Sequence, residues 1–117
     1  MKEKEIIKKV TDILYNLGIS PKLAGYKYII EATMLSYYDN SYINNLTTKL
    51  YPKIGEKYNT TPSRIERDIR YSVEKAWKNG DINLINDMGK YITSFKTGRP
   101  CNSDFIAILV DRLKTQN

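Results

Sequence analysis

The sequence contains no histidine and a single cysteine, Cys101, in 117 residues. One cysteine cannot form an internal disulfide, and without histidine neither the usual zinc ligands nor a cysteine–histidine catalytic pair can be assembled. Histidine is also the most frequent general base in enzymes, so catalysis would depend on carboxylates, lysines or tyrosines alone. We therefore expect no enzymatic activity and no bound metal or cofactor.

Long apolar segments are also missing. No run approaches the ~18 apolar residues that a membrane-spanning helix needs, and residues 1–5 carry charges where a signal peptide would be apolar. The apolar fraction of 41% and the charged fraction of 27% are those of an ordinary globular protein, and the length corresponds to one compact domain. These features predict a single cytoplasmic domain spanning 1–117, without a membrane partner.

Positive charge is in excess. The chain has 19 lysines and arginines against 13 aspartates and glutamates, which gives a net charge of +6. A basic protein attracts polyanions, but many basic proteins gain only solubility from their charge. The placement of the charges along the chain must therefore decide whether nucleic acid is the partner.

Apolar residues recur at three- and four-residue spacing along most of the chain, which is the pattern of amphipathic helices. It predicts an all-α fold of six helices without strands. The first helix covers residues 3–17, and the second covers about 23–37 with Gly25 as an unfavourable internal residue. The third covers about 43–58, and Pro52 should bend or offset its middle.

The fourth helix has clear signals at both ends. Thr61 can accept a hydrogen bond from a free N–H group of the first turn, and Pro62 is well placed at the first helical position. The pair Asn79-Gly80 ends the helix. Its apolar residues fall on one stripe, which includes Ile65 and Ile69.

Two shorter helices complete the prediction. The fifth opens at Asp81 or Asn83 and runs to about Ile92. The last is capped by Asn102 or Ser103. Its apolar stripe, wide enough to dock on the core and still leave an exposed edge, consists of Phe105, Ile106, Leu109, Val110 and Leu113.

Residues 50–78 have the layout of a helix-turn-helix: an apolar helix, a tight turn and a second helix rich in arginine. A small residue at Gly55 allows the two helices to approach. Ile54, Tyr58 and Ile65 supply the apolar contacts that fix their crossing angle. The two helices should therefore behave as one rigid unit.

The second helix of this unit directs polar side chains away from its apolar stripe, at ~100° per residue. Arginine can bind guanine O6 and N7 in the major groove, glutamate can accept a hydrogen bond from cytosine N4, and serine can bind a base edge or a phosphate. The helix is therefore equipped to read bases in duplex DNA. The outward residues are Ser63, Arg64, Glu66, Arg67 and Arg70.

An arginine-rich helix face can also be a solvated surface, with Arg64 paired to Asp68 or Arg70 paired to Glu74 at four-residue spacing. Thr61 and Pro62, however, place the arginines on the first turns, which is the part of a recognition helix that meets bases. We therefore favour DNA reading, with flanking lysines on phosphates. The flanking candidates for DNA binding are Lys53, Lys57 and Thr61.

Several sequence motifs identify a protein family more specifically than apolar periodicity does. They are Leu50-Tyr51-Pro52, the run Tyr-Asn-Thr-Thr-Pro-Ser-Arg-Ile-Glu-Arg at 58–67, Ala76-Trp77 and the run Asn-Ser-Asp-Phe-Ile-Ala at 102–107. Through them the chain resembles the C-terminal DNA-binding effector domain of the sporulation master response regulator, the stage zero sporulation protein A family. The resemblance is collinear from about Ile19 to Leu113.

The resemblance implies a six-helix domain that binds a short TGTCGAA-like box, often in tandem copies, and regulates transcription at nearby promoters. It assigns base or backbone contacts to Arg64, Glu66, Arg67 and Arg70. It also implies contact of about residues 80–93 with an RNA polymerase sigma factor. A homodimer on tandem sites would form through the last helix.

The sequence departs from the family pattern in three places. The usual member carries a phosphorylated receiver domain before the effector domain, and no receiver is expected within 1–117. Asp68 stands where a small apolar residue is usual, and would weaken phosphate attraction or pair with Arg64. Gly55 stands where alanine is typical. A second hypothesis therefore stays open: a non-activating interaction module or antagonist that retains the fold.

Overall fold

A computed structural model describes residues 1–89 and 98–115. These residues form six α-helices and no strand, which confirms the predicted fold class for this part of the chain. None of the helices described is both long and apolar enough to span a lipid bilayer. The helices are α1 (Glu3–Asn16), α2 (Ala24–Tyr38), α3 (Tyr51–Tyr58), α4 (Pro62–Asn79), α5 (Ile82–Gly89) and α6 (Asn102–Thr115).

Helix α2 lies at the centre of the fold and packs against α1, α3, α4 and α6. It crosses α4 at Gly25, where a Cβ atom would lie 2.3 Å from the carbonyl oxygen of Asp68 and 2.4 Å from Oγ of Ser72. Any side chain at this position would separate the two helices. The glycine that the sequence pattern marks as unfavourable is therefore required by the close helix crossing.

Residues 43–58 do not form the single bent helix that the sequence predicts. A short 3₁₀ turn at Asn40–Tyr42 and a π-helical segment at Leu46–Leu50 precede α3. In the π-helical segment the N–H of Leu50 donates to the carbonyl of Asn45 at 3.0 Å. Pro52 lies in the first turn of α3, where a missing N–H leaves no helical hydrogen bond unmade. Pro52 therefore lies where the π-helical segment passes into α3.

Helix α4 has the predicted start and end. Oγ1 of Thr61 accepts a hydrogen bond from the N–H of Arg64 at 3.2 Å, and the helix ends at Asn79 before Gly80. The side chain of Asp81 accepts from the N–H groups of Asn83 and Leu84 at 2.9 and 3.3 Å, so Asp81 caps α5. The predicted continuation of α5 beyond residue 89 lies outside the described residues.

Helix α6 buries its whole apolar stripe. Phe105, Ile106 and Leu109 have no exposed surface, and Val110 and Leu113 are at most 3% exposed. The exposed apolar edge predicted for this helix is therefore wrong: α6 packs against α1, α2 and α4, and every residue of the predicted stripe is buried. The outer face of α6, as we call it below, consists of Asp104, Ala107, Asp111 and Lys114.

Candidate nucleic-acid interface

The turn between α3 and α4 folds back onto α3. Asn59 adopts the left-handed conformation, with φ of 51°, and the N–H of Thr60 donates to the carbonyl of Gly55 at 3.1 Å. A Cβ atom on Gly55 would lie 2.7 Å from the carbonyl oxygen of Thr60. Gly55 thus allows the turn itself to approach α3, in addition to the helix approach that the sequence predicts.

Apolar contacts hold the helix pair on the rest of the fold. Ile54, Ile65 and Ile69 are fully buried, and Tyr58 packs partly buried at the end of α3. The opposite side of α4 faces outward: Arg64, Arg67 and the other predicted readers are exposed, except Glu66, which is half-buried. Helix α4 therefore presents one polar face on a rigid support.

Arg64 and Arg67 differ in their surroundings. Within the described residues the side chain of Arg64 forms no ion pair and no hydrogen bond. Nε of Arg67 lies 3.7 Å from Oδ1 of Asp68, and the Arg67 side chain is 60% exposed. Asp68 therefore lies beside Arg67 and not Arg64. The five N–H donors of Arg64 are available to a ligand.

Arg70 lies in a cluster of charged side chains with Glu66, Glu74 and Arg99. Its Nε donates to Oε1 of Glu66 at 2.9 Å, and its Nη1 lies 3.7 Å from Oε1 of Glu74. The same Glu74 oxygen accepts from Nη2 of Arg99 at 2.8 Å. The hydrogen bond to Glu66 raises the pKa of Arg70. The pair of Arg70 with Glu74 was foreseen from spacing, but Arg99 is distant in sequence and no local pattern points to it.

The two predicted lysines also differ. Lys53 is exposed and forms no ion pair in the described part of the chain. Nζ of Lys57 lies 2.8 Å from Oε2 of Glu31, a carboxylate whose side chain is 11% exposed, and this hydrogen bond raises the pKa of Lys57. Lys27, which sequence reasoning missed, has its Nζ 5.1 Å from the centre of the Tyr58 ring, close to the turn.

Asn102 has a different role from the predicted cap. Helix α6 begins at Asn102 itself, and the amide is turned inward. Nδ2 donates to Oη of Tyr51 and to the carbonyl oxygen of Glu66, both at 3.1 Å. Burial raises the pKa of the Tyr51 hydroxyl. Sequence periodicity gave no signal for this contact, because its partners lie on two other helices.

Two helices joined by a tight turn, the second with an exposed arginine-bearing face and a buried apolar one, define a helix-turn-helix domain. A family model described as "Sporulation initiation factor Spo0A C terminal" matches residues 10–113. The chain belongs to this family, which confirms the resemblance seen in the sequence. The family comprises DNA-binding effector domains that regulate transcription at the initiation of sporulation, and it is not a family of enzymes.

Proposed function

We propose that this protein reads a specific duplex site, a TGTCGAA-like box, with helix α4 in the major groove. The observation that carries the proposal is the first half of α4, where Ser63, Arg64 and Arg67 are exposed above the buried Ile65 and Ile69. Recognition helices contact base edges with their N-terminal turns. A helix anchored by its apolar side and free on its polar side can enter the groove without rearrangement.

The contacts of each side chain suggest a division of roles. Arg64 and Arg67 are proposed as the main base readers, because an arginine without a strong internal partner can give two hydrogen bonds to guanine. Ser63 and Thr61, at the start of α4, are proposed to contact the sugar–phosphate backbone. Glu66 and Arg70 are proposed to act as a pair, since a base contact by either must compete with their mutual hydrogen bond.

Lys53 and Lys57 are proposed to contact phosphates on either side of the recognition helix. Lys53 can do so without losing a partner, whereas Lys57 would share its ammonium group between a phosphate and Glu31. Two protein partners are also proposed: an RNA polymerase sigma factor at about residues 80–93, and a second copy of the chain through α6 on tandem sites. The described part of the sigma region is the stretch 80–89.

The proposal is tested by selecting bound sequences from a random duplex pool, then titrating the selected duplex and a scrambled one. Arg64→Ala and Arg67→Ala should each cost about 1–3 kcal/mol on the selected duplex and much less on the scrambled one, because a bidentate base contact is lost. Arg70→Ala should cost less than Arg64→Ala, since Arg70 already has two carboxylate partners. Equal losses on both duplexes would contradict base reading.

The alternative function is a non-activating antagonist that retains the fold. It is favoured by the carboxylates of Asp68, Glu66 and Glu74, which lie within 4 Å of Arg67 or Arg70 and reduce the positive charge of α4. Failure of the wild-type chain to shift any selected duplex, together with capture of a family member in solution, would support this alternative.

A further inference from the structure

The residues that lead into and begin α6 contact both the helix-turn-helix and the segment that precedes it. Arg99 donates to Glu74 of α4 at 2.8 Å, Asn102 donates to Tyr51 and to the Glu66 carbonyl at 3.1 Å, and Ser103 donates to the carbonyl of Ile43 at 3.3 Å. The side chain of Asn102 hydrogen-bonds the backbone of α4, at the carbonyl oxygen of Glu66.

Asn102 is buried, and both N–H groups of its amide are used. A backbone carbonyl can only accept a hydrogen bond, so the contact with Glu66 fixes which way the amide points. The second N–H group donates to the Tyr51 hydroxyl, at the first residue of α3. The Asn102 side chain therefore connects the start of α6 to both helices of the helix-turn-helix, α3 and α4.

The position of this contact along α4 is what matters. The Glu66 carbonyl lies between Arg64 and Arg67 in the chain, so Asn102 holds the turn of α4 that carries the proposed base readers. The apolar contacts of Ile65 and Ile69 are not directional and tolerate small rotations or shifts of the helix. A hydrogen bond weakens steeply with distance and angle, so the Asn102 amide adds the directional constraint that apolar packing lacks.

We infer that Asn102 is a positioning residue for base reading: by its hydrogen bonds to Glu66 and Tyr51 it sets the position of α4 relative to α3 and α6. This inference rests on the proposed function of α4. A bidentate contact to a base requires placement within about 0.5 Å, whereas a phosphate contact tolerates more. Loss of the constraint should therefore reduce discrimination between duplexes more than it reduces general affinity for DNA.

The test uses Asn102→Asp, which keeps the shape of the side chain and places an oxygen against the Glu66 carbonyl. The preference for the selected over the scrambled duplex should fall at least ~10-fold, within the range that one base contact supplies. The affinity for the scrambled duplex and its salt dependence should stay close to those of the wild type. Asn16→Asp, the same change at an exposed position on α1, should retain the full preference.

Folding is checked by circular dichroism and urea denaturation. If Asn102→Asp does not fold, Asn102→Leu removes the two donors without adding charge, and the same loss of preference is expected. Tyr51→Phe removes the contact to α3 and leaves the hydrogen bond to α4 in place, so it should lower the preference by less than Asn102→Leu does.

The outcomes separate the inference from the proposal beneath it. A wild-type chain that shows no preference for any duplex overturns the proposed function and this inference with it. A wild-type chain that discriminates, together with folded Asn102 variants that discriminate equally well, overturns the inference alone. Parallel losses of affinity on both duplexes would assign Asn102 a purely structural role and would also overturn it.

Discussion

At the scale of single residues, the charged groups near the helix-turn-helix differ in whether they already have an ion-pair partner within the protein. Arg64 and Lys53 have no ion-pair partner within the described residues, whereas Arg70 is bound to Glu66 and Lys57 to Glu31. A charge with an internal partner gains less from a phosphate or a base, because the existing contact must be weakened first. Formal charge along the sequence is therefore a poor guide to the contribution of each residue.

Lys53→Ala should consequently affect mainly DNA binding, and Lys57→Ala should affect mainly the stability of the fold. Lys53→Ala should weaken binding to all duplexes alike and reduce the slope of log K against log salt by about 0.9, the value for one phosphate contact. Lys57→Ala should change the slope less, but should lower the free energy of unfolding by about 1–3 kcal/mol, because the largely buried Glu31 carboxylate loses its partner.

These profiles are measured by salt titration and by urea denaturation. Lys4→Ala, which removes an exposed lysine on α1, serves as the control for the change in net charge. The same reduction in slope for Lys4→Ala as for Lys53→Ala would show that the effect is one of overall charge and not of contact.

At the scale of helices, the close crossing of α2 and α4 leads to a prediction that contradicts helix propensity. Gly25→Ala would gain about 1 kcal/mol from propensity alone, but the added Cβ would lie 2.3 Å from the Asp68 carbonyl, where real contacts do not occur. The net effect should be a loss of about 1–3 kcal/mol in the free energy of unfolding, as for other overpacked cores.

Urea denaturation measures this change. The double variant Gly25→Ala with Ser72→Ala removes the Oγ atom but leaves the backbone carbonyl, so it should not recover the lost stability. Recovery in the double variant would show that the side chain of Ser72, and not the approach of the two backbones, limits the crossing.

Much of this element structure could be predicted from the sequence, because it depends on local physics. The periodic apolar residues of α1, α2, α4 and α6 locate those helices, and Thr61 marks the start of α4 through a contact three residues away. The end of the third helix was predicted correctly, but its first part was wrong, because apolar spacing does not encode the π-helical segment Leu46–Leu50. The outward face of α4 was also predictable, since it follows from helical geometry.

The parts of the candidate site that could not be predicted depend on tertiary contacts. Asn102 lies 36 residues from Glu66 and 51 from Tyr51, and Arg99 lies 25 residues from Glu74. Periodicity reports which side of a helix is buried but not which residue of another helix it meets. The roles of Asn102, Arg99 and Gly25 became visible when the relative positions of the helices were known.

At the scale of the whole molecule, the burial of the α6 stripe changes how two copies can meet on tandem sites. With no apolar edge on α6, any contact through it must use the outer face, which carries Asp104, Asp111 and Lys114 around the small Ala107. A polar surface of this size buries too little apolar area to hold a dimer in solution. We therefore expect a monomer that associates only where DNA places two copies side by side.

This expectation predicts cooperative binding that depends on Ala107. A duplex with two correctly spaced boxes should bind two copies with a coupling of about 1–3 kcal/mol beyond the product of the single-box affinities. The coupling should weaken at high salt, because the facing groups are charged and exposed. Ala107→Arg places a long charged side chain at the centre of the outer face and should abolish the coupling, while binding to one box continues.

The control for this variant is Asn16→Arg, which adds the same charge on the exposed side of α1. Titrations of one-box and two-box duplexes at several spacings give the coupling for the wild type and for both variants. Asn16→Arg should keep the wild-type coupling, since α1 is not part of the proposed contact. If the coupling persists in Ala107→Arg, the two copies touch at another surface. If the wild-type chain shows no coupling at any spacing, α6 packs in the core and makes no contact between copies.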